Sequence, residues 1–254
     1  MRKYMDELKN DKSKLSLMLG EDENGKPYLR DMTELGNILI SGGPGSGYQT
    51  LFRNCINNFG IKYSKDEVML DLIDTTQVDM RVFEKNDNLF HNKIFAGEEQ
   101  GIYGLKLAAR ESVYRYHTMK EIGANNIDDY NASEEVKSGK LKALPYLVVV
   151  ILDYFTFLPL NYRREIEDYL MQIKENSKSS GVYVIGVFCR ASQLTSKMAL
   201  CFDTQIAFTL NKMKFQRWMK YKKKEVENLD QFEMIFAHGE EKLKLKAIYE
   251  EDNG

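Results

Sequence analysis

Residues 144–160 read LPYLVVVILDYFTFLPL, and this run constrains the fold more than any other part of the chain. It is about as long as the shortest membrane-spanning helices. Yet Asp153 sits near its middle, Pro145 and Pro159 bracket it, and Val148, Val149, Val150 and Ile151 are β-branched. A central strand buried on both faces of a parallel sheet explains these features better than a membrane helix does.

Parallel strands need long crossover connections, and the flanking sequence supplies them. Asn37–Ser41 (NILIS) reads as a strand, followed by a glycine-rich turn, Gly42–Gly47. Gln49–Phe59 reads as a helix with Leu51, Phe52, Cys55, Ile56 and Phe59 inward and Gly60 as its stop. Val68–Ile73 is a second strand ending at Asp74. Leu105–Ile122 is a helix with Leu105, Ala108, Ser112, Tyr116 and Met119 on one face and Gly123 at its end. Leu147–Leu152 is the third strand. Tyr162–Ser180 is a helix carrying Ile166, Tyr169, Leu170 and Ile173, stopped by Gly181. Val182–Phe188 and Gln205–Leu210 are two further buried strands. This alternation predicts an α/β domain whose mostly parallel central sheet has helices on both faces.

Charge and cysteine usage narrow the function classes. Lys+Arg number 36 and Asp+Glu 38, a net charge of −2, so any contact with nucleic acid rests on a local patch. Cys55, Cys189 and Cys201 are odd in number and form no CxxC pair, which reads as free thiols in a reducing compartment. His91, His117 and His238 have no ligand spacing, which argues against zinc. The head MRKYMDELKNDKSK is charged throughout and has no apolar signal core. These features describe a soluble, cytoplasmic-type chain.

Strand, glycine loop and helix together form an arrangement that holds phosphate, with backbone N–H groups and a helix N-terminus aimed at the anion. The loop here is Gly42, Gly43, Pro44, Gly45, Ser46, Gly47, Tyr48, Gln49 and Thr50. Gly42 and Gly47 satisfy the glycine positions of the template GxxxxGK[ST]. Tyr48 stands where the lysine belongs and Gln49 where the magnesium-binding hydroxyl belongs. The lost lysine removes roughly 1.5–3 kcal/mol of charge-assisted contact. Removing one donor aimed at transition-state charge costs on the order of 10²–10³ in rate. Thr50 offers a hydroxyl one residue late and Arg53 a cation one turn on. Without nucleotide, the Tyr48 ring itself is placed to cover the anion nest. ATP or ADP is therefore a weak cofactor candidate, with magnesium only alongside it.

From Leu17 onward the chain resembles the motor domain of the FtsK/SpoIIIE family, hexameric ring ATPases that pump double-stranded DNA. The resemblance is carried by Leu17–Gly47, Ser112–Asn131, Leu144–Phe155, Gly181–Arg190 and Asp203–Leu210, in family order and spacing. It implies a RecA-like P-loop NTPase fold over residues 17–249, between a charged segment 1–16 and an acidic tail 250–254. The charged head Met1–Lys14 and the acidic Glu250–Asp252 are expected to be mobile. The resemblance also implies that the family's Asp-Glu pair is represented by Asp153 followed by Tyr154, or by Leu152 and Asp153. Either way one carboxylate is gone, and losing a general base costs about 10²–10⁴. The family's phosphate-sensing Gln-Arg appears as Cys189-Arg190, which leaves Asp153 and Arg190 as the catalytic candidates. Its Asp-Pro-Lys appears as Asp74-Thr75-Thr76, with Asp74 expected to cap local backbone. Arg163 and Arg164 join Arg190 as arginines that a neighbouring subunit could meet.

Lys212 to Lys224 (KMKFQRWMKYKKK) reads as a basic helix whose Lys212, Lys214, Arg217, Lys220, Lys222, Lys223 and Lys224 are unopposed by any acid. Phe215, Trp218 and Tyr221 interleave at three-residue spacing, which suits a phosphate-rich partner or a neighbouring subunit. The plainer account packs Phe215, Trp218 and Met219 inward and leaves the lysines in water. His117 reads as packing or surface.

Three functions stay open on this sequence. The first is a pseudo-ATPase acting as a nucleotide- or partner-binding subunit of a DNA translocation, conjugation or secretion machine. The second is an active double-stranded DNA translocase with unconventional residues, and the third is an interaction module that binds neither nucleotide nor DNA. Other family subunits or machine components, double-stranded DNA and an oligomeric state are the partners the resemblance implies, with no direct membrane span.

Overall fold

The computed structural model describes residues 4–77, 79–152, 162–189, 194–209, 217 and 219–249. In chain order, the first half holds α1 (Met5–Asn10), β1 (Ser16–Glu21), β2 (Pro27–Asp31), α2 (Met32–Leu35), β3 (Ile38–Ser41), α3 (Tyr48–Lys62), β4 (Val68–Asp74), β5 (Leu89–Ala96) and α4 (Glu98–Glu121). There follow α5 (Ile127–Asn131), α6 (Glu134–Lys137), β6 (Tyr146–Leu152), α7 (Arg163–Ser180), β7 (Val182–Phe188), α8 (Ser196–Ala199), β8 (Thr204–Phe208), α9 (Lys223–Val226), β9 (Glu233–His238) and β10 (Glu241–Lys246). The chain packs into two compact units. One is Met1–Lys62 together with Gly186–Gly254, the other Tyr63–Ile185.

In the first unit the strands run β2-β1-β10-β9-β8-β3. Strands β3 and β8 pair in parallel, from Ile38↔Thr204 to Ser41↔Ala207, while β8, β9, β10, β1 and β2 are joined antiparallel. The sequence reading missed β1, β2, β9 and β10. For β10 (EKLKLK) the alternation of Lys and Leu was there to find, although of its two leucines only Leu245 is buried and Leu243 is exposed. Helix α3 buries Leu51, Phe52, Cys55, Ile56 and Phe59 as predicted. It does not stop at Gly60 but runs to Lys62, whose ammonium donates to the carbonyls of Leu8 (2.8 Å) and Asp11 (2.7 Å). Those tertiary bonds outweigh the roughly 1 kcal/mol cost of a helical glycine. Residues 4–10 of the charged head likewise pack onto the fold, because α1 buries Leu8, and Tyr4 and Leu8 cluster with Met18 and Ile248.

In the second unit, which takes the Val182–Ile185 part of β7, the order is β7-β6-β4-β5, and β4 pairs in parallel with both β6 and β5. Leu147 to Leu152 are all buried, as a doubly covered strand requires. Burying each of these aliphatic side chains is worth about 1.5–3 kcal/mol relative to water. Helix α4 begins at Glu98, earlier than the predicted Leu105, and packs on β4, β5 and α7. Its first turns carry Gly101 and Gly104, residues with low helix propensity. A Cβ on Gly104 would lie 2.6 Å from Phe95 Cγ, so glycine is what lets the helix approach β5. On its inner face Leu105, Ala108, Ser112 and Met119 are buried as expected. Arg115 is also buried there, while Tyr116 is only half-buried. Helix α7 buries Ile166, Leu170 and Ile173 and ends at Gly181, whose left-handed backbone (φ 69°) lets its N–H reach Ser177 O at 3.0 Å.

Candidate functional site

The glycine loop joins β3 to α3 within the first unit. Strand β3 is fixed there by Ser41, whose hydroxyl donates to Ile206 O (3.3 Å) and lies 2.9 Å from the Tyr221 hydroxyl. Burial pushes the Tyr221 phenol up to about 12, against a smaller opposing effect of the Ser41 hydrogen bond.

Beyond β3 the chain turns without side-chain help. Gly43 N–H donates to Thr209 O (3.0 Å), and Ser46 N–H donates back to Gly43 O (3.1 Å). Gly45 and Gly47 take φ values of 77° and 101°, where a Cβ is strained. A Cβ on Gly42 would lie 2.7 Å from Ser46 Oγ, and one on Gly47 would lie 2.6 Å from Phe232 Cδ1. Phe232 N–H donates to Ser46 O (2.9 Å) and itself takes φ 71°, uncommon for an aromatic residue. The first intrahelical bond of α3 runs from Leu51 N–H to Gly47 O (3.3 Å), so the preceding amides of the first turn have no intrahelical acceptor. Ser46 Oγ is buried without a hydrogen-bond partner among the described residues.

These features fit a phosphate as far as the backbone goes. The side chains do not continue the fit. Tyr48, at the lysine position, is 4% exposed, and its hydroxyl lies 2.7 Å from Cys189 Sγ. Cys189 stands at the position that the resemblance assigns to the sensing glutamine. Two replaced positions have thus become hydrogen-bonding partners. Gln49 and Thr50 are half-buried in the first turn of α3, and Arg53 is exposed with its guanidinium 6.0 Å from the Phe52 ring centroid. Among the described residues no group of three or more His, Cys, Asp or Glu could hold a metal ion. Positions 48 and 49 thus offer neither the cation nor the hydroxyl of the phosphate-loop template. Asp153, Tyr154 and Arg190 lie outside the described residues, as do Lys212, Lys214, Phe215 and Trp218.

The other candidates fall elsewhere. Asp74, 1% exposed at the end of β4, accepts at Oδ1 from Thr76 N (2.9 Å), Thr76 Oγ1 (2.6 Å) and Gln77 N (3.2 Å) and at Oδ2 from Met80 N (2.9 Å). It caps local backbone, as expected. The basic run is not one helix. Arg217, Met219, Lys220, Tyr221 and Lys222 are non-helical, and only Lys223–Val226 forms α9. Burial of Met219 and Tyr221 decides the local path there, and those two alternate rather than repeat every third or fourth residue. Lys220 is turned onto the fold, donating through its ammonium to Asp203 O and through its backbone N–H to Gln205 Oε1 (2.8 Å). Arg217, Lys222, Lys223 and Lys224 are exposed. His117 is exposed on α4, and Arg163 and Arg164 are exposed at the start of α7. No helix among the described residues is long and apolar enough to cross a membrane.

The FtsK/SpoIIIE family model matches residues 3–225. Among curated relatives, the DNA translocase FtsK of Helicobacter pylori (strain J99) is 31% identical over 173 residues, 68% of this chain and 20% of that protein. The DNA translocase FtsK of Agrobacterium fabrum (strain C58) is 25% identical over 231 residues, 80% of this chain and 26% of that protein. The chain thus spans only a fifth to a quarter of these relatives' length. Among solved structures, the cytoplasmic domain of the Thermomonospora curvata type VII secretion ATPase EccC superposes with a TM-score of 0.74 at 17% identity, covering 96% of this chain and 30% of that one. The pCW3 conjugation coupling protein TcpA, in its monomer form with ATPγS, gives 0.75 at 18% identity, covering 95% and 68%. Those two likenesses show the fold, and the match over residues 3–225 shows the lineage: the chain belongs to the FtsK/SpoIIIE family and carries its RecA-like P-loop ATPase fold.

Proposed function

We propose that this chain is a pseudo-ATPase of the FtsK/SpoIIIE family, a cytoplasmic subunit that acts in a DNA translocation, conjugation or secretion machine by binding rather than by turnover. The observation that carries the reading is the Tyr48–Cys189 contact at 2.7 Å. A lysine at position 48 would need a phosphate to justify its charge in so buried a place. A tyrosine needs only one hydrogen-bond partner, and Cys189 supplies it. The retained glycines keep the loop in shape, so weak, metal-independent capture of ADP or ATP remains part of the proposal. Arg217, Lys222, Lys223 and Lys224 are its candidate contacts to double-stranded DNA or to a neighbouring subunit, being exposed cations on one short stretch.

Calorimetric titration with ATP and ADP, with and without magnesium, tests the reading beside a phosphate-release assay. The expected result is no release above the blank and no magnesium-dependent gain in affinity. The double variant Tyr48→Lys/Gln49→Ser should bind ATP at least about tenfold more tightly, the scale of one restored charge-assisted contact. Robust magnesium-dependent phosphate release by the unaltered chain would instead establish an active translocase motor. For the cations, double-stranded DNA affinity should fall by about one log unit per log unit of salt for each phosphate neutralised. A flat response assigns the patch to protein.

A further inference from the structure

The second unit buries an ionic network remote in sequence from the glycine loop. Asp71 sits in the middle of β4, 1% exposed at its side chain, and its Oδ1 lies 2.7 Å from His91 Nδ1 on β5. With Asp71 ionised the carboxylate can only accept, so the imidazole donates. Asp71 Oδ2 is buried with no hydrogen-bond partner among the described residues. Behind the pair, Arg115 of α4 is 0% exposed. Its Nε donates to Glu111 Oε1 (2.7 Å), and its Nη1 donates to Pro145 O (2.6 Å) and Ser180 O (3.4 Å). Arg115 Nη2 is likewise buried without a hydrogen-bond partner among the described residues.

The backbone around His91 is built to aim that side chain inward. Leu70 pairs with Leu89 and Leu72 with Ile94, so β4 advances two residues while β5 advances five. The extra residues form a bulge in the strand at the edge of this unit's sheet, and Asn92 within it takes φ 54°. Bulges re-aim side chains in this way. Between those two backbone pairings the β4–β5 ladder is interrupted, and the Asp71–His91 bond crosses the gap.

We propose that protonation of His91 is a switch holding the β5 bulge, and the head of α4 that follows it, onto β4, closed with the imidazolium and loosened with the neutral ring. The charged groups facing His91 are Asp71 from β4, Glu111 from α4 and Lys93 from β5 itself, while Arg115 of α4 faces Asp71. Lys93 is turned aside, with its ammonium 4.7 Å from the Phe95 ring centroid and 6.0 Å from that of Tyr103. With His91 charged, the two cations His91 and Arg115 balance the two carboxylates Asp71 and Glu111. With His91 neutral, the cluster keeps one uncompensated negative charge around the buried Asp71, which burial disfavours.

The titration directions agree with the geometry. The hydrogen bond to Asp71 holds His91 above its ordinary 6.5, outweighing the opposing effect of burial. Burial raises Asp71, against the lowering effect of the His91 hydrogen bond. A folded-state histidine raised above its unfolded value contributes stability that is full below pH 6.5 and lost as pH rises through the folded value. A raised aspartate likewise favours the folded unit on the acid side. The switch therefore opens on the alkaline side of 6.5 and closes below it.

The test uses the full chain. Imidazole NMR from pH 5.5 to 9 reads the three histidines, with His91→Gln assigning the signal. Hydrogen exchange of residues 89–96, corrected for intrinsic rate, reads the bulge. We expect His91 to titrate above 6.5 and β5 protection to fall severalfold between pH 6 and 8.5. Asp71→Asn should lower the pH at which His91 titrates and flatten the exchange profile. If Asp71→Asn does not fold, His91→Gln decides the matter, since a neutral donor should show low, pH-independent protection. Titration of His91 at or below 6.5, protection of β5 that ignores pH, or a His91→Gln profile matching the unaltered chain would each overturn the proposal.

Discussion

The glycine loop and the β5 bulge hold polar groups in opposite ways. In the loop, backbone conformation carries the shape. Gly45 and Gly47 take positive φ, peptide groups bond one another, and the side chain at position 48 meets a neighbouring thiol. At the bulge, ionic side chains carry it, with Arg115 and Asp71 buried and each tied to a partner on another element or another turn. A site defined by backbone tolerates exchange of its reactive side chains and keeps its form. A site defined by buried charge does not, because every member leaves an uncompensated partner behind. That difference gives a physical reason why an ATPase loop can lose its lysine and keep its turn.

Substitutions should separate the two regions by size of effect. Arg115→Met leaves Glu111 unpaired beside a buried aspartate, and should cost about 3–5 kcal/mol in denaturant unfolding. A loss under about 1 kcal/mol would mean the network is not structural. Gly47→Ala should cost about 2–3 kcal/mol, since a Cβ there is strained and meets Phe232. Gly45→Ala has nothing within 4 Å of the new Cβ, so it should lose only about 1 kcal/mol, the price of its left-handed backbone. Equal losses at both glycines would show that the contact with Phe232 does not matter. Asp74→Ala strands several donors at the end of β4 and should cost about 2 kcal/mol, read by thermal unfolding. Tyr48→Phe should be smallest, about 1 kcal/mol. It should also speed alkylation of Cys189, which is half-exposed while Cys55 and Cys201 are buried. An unchanged alkylation rate would detach Tyr48 from the thiol.

Much of the parallel sheet was legible because its strands are continuous apolar runs, Leu147–Leu152 above all, and because glycine stops such as Gly181 act locally. The glycine cradle was legible for the same local reason, as spacing alone fixes where a turn can tighten. Gly60 misled, since Lys62 carries α3 onward by bonding to a segment some fifty residues earlier. The basic run misled too, because Met219 and Tyr221 are buried there without helical period. His91 gave no signal at all. Its partner Asp71 lies twenty residues away in the chain, and nothing near position 91 announces a bulge.

By itself, then, the sequence determined which segments are buried strands, where the phosphate-type turn lies, and which reactive positions in it have changed. Those are properties of short stretches, set by hydrophobic period and by what glycine alone can adopt. Only the tertiary structure decided that Tyr48 meets Cys189, that Phe232 covers Gly47, and that Arg115 and His91 enclose a buried charge. Each depends on elements distant in the chain coming within a few ångströms, and that is settled by how the strands and helices pack.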